Sequence, residues 1–301
     1  MNKPYIRRSS LIDVQPPPWS SDSGEGYSFS IPADLAALQQ LCDRLLNHAL
    51  PAGQHYRPAG DTLLLTVQRI EQFHSIGVPV SEQVRYTYNE VSIWVPLERE
   101  DGIHAFLLPY VFHDSNVPTA IGRELYGFAK ELATVSMPGD ASAFKVDALC
   151  CVQPGAVARL GEVMSLTRLT QEFSTLAFSA QEFVGLDLLN PADQSRVLER
   201  LGSAALPYRR LTTLNLDTVF LRQFGSPTGQ GCDVQDLVHT RIEIAQGARM
   251  PTAAGKYRLT LPPLHSHPIA QDLGIALDAQ HSTVIDLNFK SAFSFTLHAA
   301  A

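Results

Sequence analysis

Most of this 301-residue chain is cut into short runs that alternate apolar and polar residues, with turn-forming residues between them, and this two-residue period is what most restricts its fold. Residues 27–31, 62–70, 84–96, 104–112, 144–152, 162–171, 214–224, 238–246, 257–261 and 283–298 all carry the pattern. Helical spacing is rare by comparison. Pro32 opens one helix, in which Leu35, Leu38, Leu41 and Leu45 form a single apolar stripe. Asn190, Pro191 and Gly202 mark the cap, first position and end of a second. A short third, capped by Thr119, covers 120–125 and ends near Gly127, with extended chain beyond it. Residues 51–60 are expected to form a loop. With no sustained strand–helix–strand alternation and no repeat of 20–50 residues, the pattern predicts a mostly β, α+β fold: an antiparallel β-barrel or cone with a few peripheral helices.

Residues 1–26 are rich in Ser, Pro and charge and are expected to form an arm lying on the body or on a neighbouring subunit. The remainder, 27–301, is expected to be a single domain, for which a hydrophobic content of 45% supplies a sizeable core. The net charge of -7 lacks the basic footprint of a nucleic-acid binder. Residues 1–13 carry Lys3, Arg7 and Arg8 with no apolar stretch after them, and no run approaches the roughly 18 apolar residues of a membrane span. The expectation is a soluble, cytoplasmic protein. Cys42, Cys150, Cys151 and Cys232 form no C-x-x-C pair and are expected to be buried free thiols, and His265 and His267 to be a loop pair rather than metal ligands. No cofactor is expected.

Against this background one lysine stands out. Lys130 is surrounded in sequence by Leu125, Tyr126, Phe128 and Leu132. A lysine amine attacks a carbonyl only when neutral, and its ordinary pKa of roughly 10.4 keeps it protonated at pH 7. Burial among those side chains lowers that pKa and makes a nucleophile; the alternative is a lysine whose stem covers apolar surface while its ammonium reaches water. Along 84–96, Tyr86, Tyr88, Glu90 and Ser92 share one strand face, so Glu90 belongs either to a cavity wall or to an exposed strand. Glu131, next to Lys130 in extended chain, points to the opposite face.

The run GRELYGFAK, Gly122 to Lys130, resembles the G-R-E-x-x-[G/A]-F-P-K-K signature of the acetoacetate decarboxylase superfamily. Tyr88-Asn-Glu90, followed by 91–96, is similar to the family's Tyr-x-Glu strand, and His267-Pro-Ile followed by 282–288 to its closing strands, so the likeness spans roughly 27–298. The resemblance implies a β-barrel or cone, commonly a homo-oligomer, in which Lys130 forms a Schiff base with a small keto acid or ketone. It also implies that Glu90 shuttles protons and that Tyr88, Tyr86, Phe128, Arg123 and, more loosely, Glu71 line or shape the substrate site. The departures are Ala129 for the proline, Glu131 for the second lysine, and no arginine between Ser20 and Gly26. They imply a substrate other than acetoacetate. Expected is a carbon–carbon lyase of decarboxylase type; the alternatives are an aldolase-dehydratase using the same imine and a non-catalytic ligand-binding protein.

Overall fold

The computed structural model describes residues 14–170, 215–244, 249–253, 255–285 and 288–299. Seven strands close on themselves: β1 (Trp19–Pro32), β3 (Thr62–Ser75), β4 (Tyr86–Arg99), β5 (His104–His113), β9 (Asn215–Gly225), β10 (Cys232–Ile244) and β14 (Asn288–Ala299). Pairing of β4 with β5 completes the ring. A second sheet leaves β5 through β6 (Lys130–Ser136), β7 (Ala143–Cys150), β8 (Arg159–Thr170), β12 (Lys256–Thr260) and β13 (Ser282–Ile285). The short strands β2 (Tyr56–Pro58) and β11 (Arg249–Ala253) pair with β4 and β14. Pairing is antiparallel except that β5 runs parallel to both β6 and β9.

Alternation along each strand divides the apolar residues between two compartments. Trp19, Leu64, Tyr88, Phe106, Phe220 and Leu297, with half-buried Ile242, come one from each of the seven ring strands and belong to one buried cluster, which is therefore the barrel interior. Tyr27, Phe29 and Ile31 of β1 face the other way and meet the second sheet: Phe29 lies edge-on to Tyr257 at 5.0 Å and Tyr27 lies 5.0 Å from Phe144. Such pairs contribute about 0.5–1.5 kcal/mol each beyond the area they bury. Helix α1 (Leu35–Leu45) and the short α3 (Ile269–Leu273) cover this outer core, joined where Arg44 binds Asp272 at 2.8 Å.

The mostly β barrel matches expectation, and several boundaries do not. The strand expected at 27–31 begins at Trp19 and so takes in residues 19–26 of the expected arm, of which 1–13 lie outside the described residues; a register shift between Ser21 and Gly24 interrupts the alternation there and hides the strand in the sequence. Pro32 ends β1 instead of opening a helix, and Asp34 caps α1 by accepting from the Ala37 N–H. Thr119 lies inside α2 (Asn116–Ile121), which runs into a π-helical turn over Gly122–Tyr126. The strand expected at 283–298 is two strands in different sheets, and β2 occupies part of the expected loop. Only Cys42 is a buried thiol, its pKa pushed up by burial to about 12; Cys150 and Cys151 are half-buried and Cys232 is exposed. The helix expected at 190–202 lies outside the described residues. Among the described residues no helix is long and apolar enough to cross a membrane.

Candidate active site

Three neighbouring strands and one turn bring the site together. Glu90 lies within β4, where its register partners are Gln68 on β3 and His113 on β5. Lys130 is the first residue of β6 and pairs with Val111, one of the inward-facing residues of β5. Register partners share a face, so Glu90, His113 and Lys130 all point into the barrel. Lys130 is 9% and Glu90 7% exposed, and Lys130 Nζ donates to Glu90 Oε2 at 3.0 Å. The Nζ also lies 5.4 Å from the Phe128 ring centroid and 5.7 Å from that of Tyr88, within cation–π range. Lys130 is the one buried lysine or arginine among the described residues. A charged pair withdrawn from water in this way is costly, and deleting one partner strands the other; the cost is about 3–5 kcal/mol.

The turn before Lys130 is shaped to admit its stem. A Cβ at Gly122 would lie 2.4 Å from Lys130 Cδ, so no larger residue fits while the lysine keeps this path. At the other end of the turn Gly127 adopts a φ of 75°, and a Cβ there would meet the Arg222 backbone at 2.8 Å. Arg222 on β9 donates to the Leu125 carbonyl at 3.2 Å and is itself held by Asp236. The Phe128 ring packs tilted against Phe220, with centroids 4.0 Å apart, between β6 and β9.

Aromatic and polar side chains complete the walls. Burial raises the phenol pKa of Tyr88 well above its ordinary value, with the Glu90 charge adding to it, so Tyr88 stays a phenol. Tyr86 and Tyr126 shift the same way through burial, and their hydroxyls, like Trp19 Nε1, have no hydrogen-bond partner. On the Glu90 face, Thr66 and Ser92 bond to one another at 2.7 Å. Trp94 Nε1 donates to both at 3.0 Å, and Gln68 donates to Thr66 at 3.0 Å. His113 is fully buried, its ring 5.5 Å from Tyr88. Burial, and then the charge of Lys130, pushes its pKa down to about 2, with the Ser115 backbone working weakly the other way.

Of the residues singled out in the sequence, Lys130, Glu90, Tyr88 and Phe128 are brought together, with Tyr86 on the same face one step further out. Arg123 is exposed on the turn, and Glu71 is half-exposed, bound to Arg69 and Ser23 on the β1–β3 surface. Leu132, expected to help bury the lysine, is 54% exposed even though it pairs with His113 on β5. Glu131 faces away as expected: its carboxylate accepts from His267 Nε2 at 2.8 Å, and the His267 ring packs 5.7 Å from Phe112. His113 lies one residue beyond the run 104–112, and the alternation from Val111 is the signal that finds it. Among the described residues no three His, Cys, Asp or Glu side chains group as metal ligands.

No protein-family model matches the chain, and no curated protein matches it in sequence. Solved structures do match its fold. Acetoacetate decarboxylase from Legionella pneumophila is 16% identical, with 99% of this chain and 92% of that one covered at a TM-score of 0.57. The enduracididine biosynthesis enzyme MppR complexed with pyruvate is 16% identical over 94% of this chain and 89% of that one, TM-score 0.53. An acetoacetate decarboxylase-like enzyme from Sphingomonas wittichii RW1 is 15% identical over 98% and 97%, TM-score 0.52. The fold is thus the acetoacetate decarboxylase-like fold.

Proposed function

We propose that a chain with this fold and a buried Lys130–Glu90 pair is a lyase that forms an imine between Lys130 and a small keto acid or ketone other than acetoacetate. The observation carrying the reading is the 3.0 Å hydrogen bond between a lysine and a carboxylate that are both buried against aromatic rings. Glu90 accepts a proton from Nζ, and the freed amine attacks the substrate carbonyl carbon. The carbinolamine so formed loses water, its hydroxyl leaving with the proton Glu90 holds, to give an imine that is protonated on nitrogen. In a 3-keto acid the bond to the carboxylate then breaks, its electron pair moves to the imine nitrogen as an enamine, and carbon dioxide departs. Protonation of the enamine carbon and hydrolysis of the imine return the ketone and Lys130. The aromatic walls hold the substrate against Nζ and limit access to the few waters that dehydration releases and imine hydrolysis consumes.

A second reading is an aldolase-dehydratase. It is favoured by the neighbour MppR, also solved with the condensation product of pyruvate and imidazole 4-carboxaldehyde, which is 15% identical at a TM-score of 0.50. Here Glu90 removes a proton from the carbon beside the imine, and the enamine adds to an aldehyde before water is lost. Borohydride reduction in the presence of pyruvate, acetoacetate and small aldehydes and ketones, followed by mass spectrometry, tests the shared step. An adduct on Lys130 that is absent from Lys130→Ala is expected; carbon dioxide release then identifies the decarboxylase and an unsaturated condensation product the dehydratase. Trapping with none of them overturns the imine reading and leaves the non-catalytic, ligand-binding alternative.

A further inference from the structure

We propose that His113 selects substrates carrying a hydroxyl group next to the carbonyl that Lys130 attacks, by accepting a hydrogen bond from that hydroxyl at Nδ1. This depends on the lysine-imine reading above and names the substrate class of the same site.

The hydrogen bonds around the ring fix its tautomer. Thr119 Oγ1 donates its single proton to the Ser115 carbonyl at 2.8 Å and lies 3.3 Å from His113 Nε2. With that proton committed, the hydroxyl meets Nε2 as an acceptor, so Nε2 carries the imidazole hydrogen and Nδ1 keeps a lone pair. Nδ1 is buried and has no hydrogen-bond partner. An acceptor withdrawn from water and left unpaired is destabilising unless a ligand satisfies it. The ring faces the interior beside Glu90, its register partner, and against Tyr88, with the charge of Lys130 close enough to act on it. It remains neutral there and offers a lone pair rather than a proton. A substrate hydroxyl supplies the missing donor, whereas a methyl in the same place leaves Nδ1 unpaired. A site built to bond a hydroxyl rejects the analogue lacking it strongly.

The test uses two matched pairs of probes, hydroxyacetone with acetone and 3-hydroxypyruvate with pyruvate, trapped on the full chain with borohydride over a range of concentrations. Hydroxylated members are expected to half-saturate at concentrations about tenfold or more below their partners. In His113→Leu the ratio of half-saturating concentrations within each pair is expected to fall to about one, whatever the change in absolute trapping. In His113→Asn, whose amide oxygen takes the place of Nδ1, the preference is restored. Equal trapping of both members by the native chain, or an equal loss for both in the leucine variant, overturns the proposal. Absence of any adduct on Lys130 with all four probes overturns the imine reading itself, and with it this one.

Discussion

At the scale of single residues the site depends on how closely Lys130 is held, and Gly122 is the most direct handle on that. Gly122 has ordinary helical backbone angles, so alanine there is tolerated by the chain and opposed only by the lysine stem. Gly122→Ala is expected to lower the unfolding free energy by about 1–3 kcal/mol, as the stem is pushed from Glu90, while borohydride trapping slows by about tenfold or more. Unchanged trapping would mean that the stem finds another route. His113 makes a separate prediction about pH. Its folded pKa of about 2 lies below the ordinary 6.5, so the unfolded chain takes up a proton that the native one refuses. The stability this concerns is whole above pH 6.5 and is lost as pH falls from there toward 2, by about 1.4 kcal/mol per unit. Urea unfolding of the native chain and His113→Asn is expected to show the native advantage shrinking by about 2 kcal/mol between pH 7 and 5. Parallel curves would refute it. Lys130, Glu90 and Tyr88 were legible because motif spacing and strand alternation are local. His113 joins them through the β4–β5 and β5–β6 pairings, which no local pattern encodes.

Among elements, the placement of β6 decides what Lys130 can do. Its next residue, Glu131, bonds to a buried histidine in the segment ahead of α3, fastening the outward face of the strand while Lys130 faces inward. Glu131→Lys replaces that acceptor with a cation and leaves His267 Nε2 unpaired. A loss of about 1–3 kcal/mol in denaturant unfolding is expected, with Lys130 still the one trapped lysine. A second adduct at position 131 would show that the strand face had been misjudged. Most strands were legible from their two-residue period. Those that were displaced have a physical cause: the irregular register of β1 masks its start, and the helical turn before Lys130 is held in part by Arg222, which is distant in sequence from the residues it constrains.

For the whole molecule, the sequence pattern implied a barrel but not how a second sheet grows from it. Strand β5 is the branch point: near Phe106 it pairs with β9, and at Val111 to His113 with β6. The aromatic barrel interior and the outer core thus lie on opposite faces of the barrel wall, with β1, β3, β4 and β5 sending residues to both. The junction is short, since just three residue pairs join β5 to β6, whereas β1 and β3 are paired through most of their length. Backbone amides open to solvent in cooperative units whose cost follows the number of bonds and contacts broken. Deuterium uptake is therefore expected to reach peptides spanning 128–136 well before those spanning 62–75. The strand bearing the lysine would then breathe on its own, loosening and resealing while the barrel beside it stays shut.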